Sequence, residues 1–217
     1  MLTTDLLPTR LWEYLIATIL IVLAPGPSVL FIIARAIAWG RASAIATVAG
    51  NTVGVLMISL LVAVGLGPLL QRSTLFYNGI QWAGGLYLIY LGFEAIKASK
   101  SVASELQKGD GAKPTLLASA KNGFWVGALN PKTIVFFAAI LPAFVDQESS
   151  NLTAQLILLG FIFCIIAFIS DSTYGLLAGT AREWFASDIK RLILMRRFGG
   201  IVMVALGVFT IASIYLL

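Results

Sequence analysis

Two prolines flank a glycine in the middle of the first long apolar stretch, residues 11–38. Pro25 and Pro27 each lack a backbone N–H, and Gly26 between them lets the chain leave helical geometry, so the helix should break here. Ser28 follows directly. Broken backbone deep in a membrane is tolerated where it is buried in protein or lines a wet cavity, and transporters bind substrate at such breaks. The alternative is a kink that only shapes packing.

A second proline break follows in the second half of the chain, at Asn130-Pro131-Lys132. Asparagine before proline is typical of a helix start, with Asn130 as the N-cap and Pro131 as the first helical residue. Pro27 can take the same position in the first half. We expect this second break to lie near the cytoplasmic entry of its span.

The two breaks offer partial charges of both signs. Helices that begin at Pro27 and Pro131 present partly positive N-termini, which suit a carboxylate. The carbonyls of Ile21 and Leu23 lose their helical partners to the prolines and can accept hydrogen bonds from an ammonium group. The combination fits a zwitterion.

Two further polar side chains lie deep in apolar stretches. Asn51 either bonds across helices or faces the cavity. Asp171 is costly at bilayer depth, so it should face the cavity, be protonated or be paired. In one interpretation it loads and releases a proton that drives transport. In the other it is structural, paired with Lys132 or bonded to the hydroxyls of Ser170 and Ser172.

Composition excludes most soluble classes. The 217 residues are 59% hydrophobic and 12% charged, with a net charge of +5, which is typical of a polytopic membrane protein. The chain has no histidine and one cysteine, so an internal disulfide framework, a Cys/His metal site and a CxxC redox pair are excluded. We expect no metal and no cofactor.

Six apolar runs predict six transmembrane helices in a single all-α membrane domain, residues 1–217. A polar stretch, residues 97–121, reads as a flexible cytoplasmic linker. A basic amphipathic segment, residues 182–197, is expected to lie in the membrane interface. The six predicted spans are 11–38, 44–70, 77–96, 124–145, 152–177 and 198–217.

The basic residues are distributed unevenly between the loops. Loops one, three and five hold 12 of the 15, which assigns these loops to the cytoplasm and both termini to the outside. Short loops without a folded domain argue against nucleic acid as a partner. The 12 residues are Arg35, Arg41, Lys97, Lys100, Lys108, Lys113, Lys121, Arg182, Lys190, Arg191, Arg196 and Arg197.

The two halves of the chain resemble each other weakly but in register. Pro27 and Pro131 each precede a polar residue and an apolar helix, and the glycines at 84, 85 and 92 recur with identical spacing at 199, 200 and 207. Each half has three spans, so the second half enters the membrane in the opposite direction. The sequence predicts a 3+3 inverted repeat of residues 11–96 and 122–217.

Small residues recur every four positions in the second span. Such a row lets a neighbouring backbone approach closely, and we interpret it as a helix-packing surface. The residues are Ala42, Ala46, Gly50 and Gly54.

These motifs together resemble the lysine exporter (LysE/RhtB) family over nearly the whole chain. The matching segments are Pro-Gly-Pro at 25–27, Leu-Asn-Pro-Lys at 129–132, Phe-Phe at 136–137 and Leu-Pro-Ala-Phe at 141–144. The resemblance implies a six-helix inner-membrane exporter of amino acids driven by the proton gradient. It also implies that the prolines of both breaks, with Gly26, Asn130 and Lys132, belong to the functional core. Many members carry asparagine where this chain has Ser28, and a basic residue where it has Glu94.

The sequence therefore predicts an exporter of neutral amino acids, such as homoserine, threonine or leucine, or of related metabolites, working by alternating access. Its partners are the substrate, protons and the lipid bilayer, and homo-oligomerisation is left open. The alternatives are a passive channel and a membrane enzyme. An intramembrane aspartyl protease needs two carboxylates at one site, and only Asp171 lies well inside a span.

Overall fold

The structure is a computed structural model that describes residues 6–70, 74–98, 113–146, 149–180 and 189–216. All regular elements in these ranges are helices, as the apolar runs predict. They are α1 (Leu11–Leu23), α2 (Pro27–Trp39), α3 (Arg41–Leu70), α4 (Thr74–Lys97), α5 (Leu116–Ala128), α6 (Pro131–Val135), α7 (Leu152–Thr180) and α8 (Ile189–Leu216). Helix α6 continues into a π-helical turn, Phe136–Ile140, and a 3-10 turn, Leu141–Phe144.

The first predicted break is confirmed. Helix α1 ends at Leu23, α2 begins with Pro27 in its first turn, and the two axes differ by 46°. The residues between them are extended, which follows from the two prolines and the permissive Gly26.

The second break is confirmed as a break, but its expected position is wrong. Helices α5 and α6 form a pair bent by 43°, so Asn130 lies between two helices and not near the start of the span. The cause is Thr115, whose hydroxyl accepts a hydrogen bond from the amide of Ala118 at 3.2 Å and starts a helix at Leu116. Residues 116–121, which we expected in the linker, are therefore helical.

Four of the six predicted spans meet the length and composition expected of a membrane helix. Two are single helices, Arg41–Gly65 and Leu152–Thr180, and two are the bent pairs. The third and sixth predicted spans correspond to α4 and α8, of 24 and 28 residues, and their crossing of the membrane stays a prediction. Residues 189–197 continue into α8 as one helix, and their position in the membrane interface stays a prediction, whereas 182–188 lie outside the described residues.

Glycines hold the helices in close pairs. A Cβ atom added to Gly50 or Gly54 of α3 would overlap the backbone of α5, at Ala120 and Phe124 respectively, which confirms the predicted packing row at these two positions. Such contact lets two backbones touch directly.

The repeated glycines of α4 and α8 contact one another reciprocally. A Cβ added to Gly92 would lie 2.5 Å from the carbonyl oxygen of Gly200, and one added to Gly200 would lie 2.6 Å from that of Gly92. Gly85 and Gly207 oppose each other in the same way. These contacts hold α4 and α8 side by side, so that the end of α4 lies beside the first part of α8.

An aromatic cluster packs the π-helical turn against α1 and α7. Phe136 and Phe137 both contact the ring of Phe163, with centroids 5.0 and 4.9 Å away. Tyr14 is fully buried and its hydroxyl donates to the carbonyl of Leu159 at 2.6 Å. The segment that follows α6 is therefore held rigidly, and this fixes the orientation of the second break.

Candidate functional site

The two breaks contact each other directly through a pair of side chains. The Asn130 side-chain amide donates to the hydroxyl of Ser28 at 2.7 Å. The other end of the same side chain, Oδ1, accepts from the backbone amide of Lys132 at 3.1 Å, which confirms Asn130 as the N-cap. One asparagine therefore starts α6 and ties the second half of the chain to the first turn of α2.

Lys132 reaches from the second break to the carbonyls freed by the first. Its Nζ donates to the carbonyl oxygens of Ile21 and Ala24, each at 2.9 Å, and the side chain is buried. The expectation that freed carbonyls can hold an ammonium group is met by the protein's own lysine. Leu23, the other expected acceptor, instead accepts from the hydroxyl of Tyr174 at 3.0 Å. Sequence reasoning missed Ala24 as an acceptor, although it precedes Pro25 and lies at the end of α1.

Gly26 provides the space that Lys132 occupies. A Cβ atom at this position would lie 3.1 Å from both Cε and Nζ of Lys132. Any larger side chain therefore competes with the lysine for the same volume. The glycine serves the site by its small size as well as by its backbone freedom.

Asp171 faces the same region from α7 and is buried. Its carboxylate accepts a hydrogen bond from the side-chain amide of Asn51 at 3.1 Å, so Asn51 bonds across helices as one of its two interpretations predicts. Within the described chain the carboxylate forms no direct ion pair with Lys132, and the hydroxyls of Ser170 and Ser172 have no hydrogen-bond partner. The expected structural pairings of Asp171 are therefore absent from the described contacts, and its bonded neighbour is Asn51.

A small cavity lies where these polar side chains meet. Its volume is about 30 Å³, and six of the nine residues predicted for the site line it. We call it the central cavity. The six residues are Gly26, Ser28, Asn51, Asn130, Lys132 and Asp171.

A second cavity of about 50 Å³ adjoins the central cavity, and Gly26 and Lys132 line both. The remaining predicted residues, which are the prolines at 25, 27 and 131, line this second cavity. Glu94 and Arg196 line it as well, from α4 and α8. Sequence reasoning noted Glu94 only as a departure from the family and missed Arg196, although the matched glycines of α4 and α8 could have predicted that these helix ends meet.

The central cavity is too small for an amino acid in this conformation. A volume of 30 Å³ holds about two water molecules, since one water needs roughly 10–15 Å³ by the same measure. Binding a substrate of six or more heavy atoms there requires side chains or helices to move.

A larger groove of about 500 Å³ lies between α1 and α7. Its lining is mostly apolar, from residues such as Ile19, Ile166 and Ile169, with Tyr174 at one side. Apolar surface of this kind suits the lipid around a membrane helix, and we do not assign the substrate site to it.

Discontinuous apolar helices that meet around a cavity lined by buried polar side chains are typical of a membrane transport protein, because such breaks supply backbone groups for binding inside the bilayer. The comparisons agree with this class. The family model of the LysE type translocators matches residues 19–213, and the chain belongs to that family.

The chain is also similar to two bacterial proteins that are named as efflux proteins. The chain is 30% identical over 192 residues to the homoserine/homoserine lactone efflux protein of Salmonella typhimurium, covering 88% of this chain and 91% of the relative. It is 26% identical over 160 residues to the leucine efflux protein of Salmonella choleraesuis, covering 72% of this chain and 73% of the relative. No solved structure matches the chain.

Proposed function

We propose that this protein is an inner-membrane secondary transporter that exports neutral amino acids, such as homoserine, threonine or leucine, or related metabolites. The names of its relatives, which are efflux proteins for homoserine and leucine, support this substrate class. The observation that carries the proposal is the buried ammonium group of Lys132 on the carbonyls of Ile21 and Ala24. These carbonyls form an ammonium site inside the protein.

The substrate ammonium takes this site when Lys132 withdraws from it. The substrate carboxylate then lies at the N-terminus of α2, where Gly26 is the N-cap and no side chain caps the helix. Backbone N–H groups and the helix dipole favour an anion there. The start of α6 is less available, because Asn130 already accepts from its first free amide.

Asp171 couples transport to protons in this proposal. Its carboxylate lines the central cavity beside Lys132, so protonation changes the charge that a substrate meets there. A buried carboxylate that is bonded to one neutral amide, and not neutralised by a direct ion pair, can exchange a proton with whichever side the cavity opens to. Loading a proton from outside and releasing it inside, in exchange for substrate, constitutes antiport.

In this proposal, alternating access between two inverted repeats moves the substrate across the membrane. A two-fold relation between α4 and α8 is supported by the reciprocal contacts of Gly85 with Gly207 and of Gly92 with Gly200. A two-fold rotation that exchanges the two helices would also exchange these two contacts. The orientation with both termini outside follows from the basic loops.

Transport by the purified protein in liposomes tests the proposal. We expect saturable uptake of one or more neutral amino acids that an imposed pH gradient accelerates. A panel of neutral, acidic and basic amino acids defines the substrate class. Flux that rises linearly with concentration and ignores the pH gradient would indicate the passive channel instead.

A further inference from the structure

Two side chains of opposite charge line the second cavity, and neither has a role in the function proposed above. Glu94 lies near the end of α4 and Arg196 near the start of α8, and both line the same space of about 50 Å³. In the part of the chain that the structure describes, the two side chains do not form a direct ion pair. A carboxylate and a guanidinium that share a cavity without a direct ion pair can bind the ammonium and the carboxylate of one ligand. A space of about 50 Å³ admits an amino acid only when side chains or helices move, as in the central cavity.

The guanidinium of Arg196 is oriented by the backbone of α4. Its Nε donates to the carbonyl oxygen of Ala95 at 3.1 Å, and this bond fixes the plane of the group. Within the described residues its two terminal nitrogens make no hydrogen bond. Two parallel N–H donors in that position match a carboxylate, which arginine binds in a bidentate manner.

We propose that the cavity beside Glu94 and Arg196 is a separate entry site for a zwitterionic amino acid, with Arg196 binding its carboxylate and Glu94 its ammonium. The inference rests on the transport function proposed above. Lys132 and Gly26 separate this entry site from the central cavity, since both residues line both spaces. Glu94 and Arg196 lie beside loops three and five, which the basic residues assign to the cytoplasm, where an exporter collects its substrate.

The two charges are tested separately with homoserine and homoserine lactone, because both carry an ammonium group and only homoserine has a free carboxylate. Arg196→Gln should raise the half-saturating concentration for homoserine on the order of tenfold and leave that for the lactone within about twofold. Glu94→Gln should raise both. Arg197→Gln is the matched control, since it removes the same charge from the adjacent, exposed position outside the cavity and should change neither value.

An equal loss for both compounds in Arg196→Gln would show that Arg196 only ties α8 to α4, and unchanged values would show that it plays no part; either result overturns the entry site. Leucine and leucine amide form a second pair of the same design for a wild type that does not transport homoserine. Failure of the wild type to transport any of these compounds overturns the proposed function itself, which distinguishes the two failures.

Discussion

Replacing Lys132 with methionine should tighten substrate binding and slow transport. In the wild type the substrate ammonium must displace the Lys132 ammonium from two carbonyls, each bonded at 2.9 Å. A hydrogen bond that involves a charged group contributes about 1.5–3 kcal/mol, so removing the competitor from even one carbonyl strengthens binding on the order of tenfold or more. Substrate that binds more tightly leaves more slowly, which lowers the turnover number.

The same substitution affects the empty protein in two opposing ways. Two buried carbonyls lose their partner, which costs about 1–3 kcal/mol of stability each. The protein also no longer holds an ammonium group out of water, and removal of that desolvation penalty returns several kcal/mol. The net change in unfolding free energy should therefore be small, and the variant should remain folded.

Calorimetric titration of the purified protein measures the affinity, and thermal unfolding with and without substrate checks the fold. Lys121→Met is the matched control, because Lys121 is exposed on α5 and should leave both quantities unchanged. Weaker binding by Lys132→Met would refute the reasoning, since it would mean that the lysine attracts the substrate and does not compete with it.

Three further predictions follow from the breaks and the topology. Gly26→Leu should abolish transport while the protein still inserts, because the new side chain meets Cε and Nζ of Lys132. Normal export by this variant would show that the space beside Lys132 is not required. Asn130→Ala should lower the free energy of unfolding by about 1 kcal/mol through the lost cap, and it should reduce transport because Ser28 loses its hydrogen bond. Unchanged transport would show that the contact between the two breaks is not required. A reporter that is active only outside the cytoplasm should be active after Leu217 and silent at 109–111, and the reverse pattern would contradict the topology.

Sequence patterns predicted the two breaks and the helix starts that follow them, because proline and asparagine act locally. Proline removes a donor wherever it occurs, and asparagine caps the helix that follows it, so Pro27, Asn130 and Pro131 could be assigned without knowledge of the fold. The packing row of α3 was predictable for a similar reason, since small residues at every fourth position leave one face of the helix open. The family resemblance was likewise carried by these local motifs and is confirmed by the family match.

Contacts between the halves could not be predicted from local patterns. The bond from Lys132 to Ile21 spans 111 positions and the bond from Asn51 to Asp171 spans 120, so each depends on how whole helices pack. The sequence did predict that carbonyls of the first break would accept an ammonium, because the prolines dictate it. It could not reveal that a lysine of the other half would provide that ammonium.

The start of the fourth span was misplaced for an identifiable reason. We began it where the apolar run begins, but Thr115 starts the helix eight residues earlier than residue 124 and a polar turn of α5 precedes the apolar part. Hydropathy reports where a helix can meet lipid, whereas a capping residue decides where it begins.

Gradient-driven transport by Asp171→Asn tests most directly whether this protein is a proton-coupled exporter. Asparagine mimics the protonated carboxyl group and keeps an oxygen for the hydrogen bond from Asn51. In liposomes loaded with substrate, the variant should still exchange labelled for unlabelled amino acid but should no longer move it uphill when a pH gradient is imposed. Full gradient-driven transport by Asp171→Asn would contradict the coupling role of Asp171 and with it the proposed mechanism.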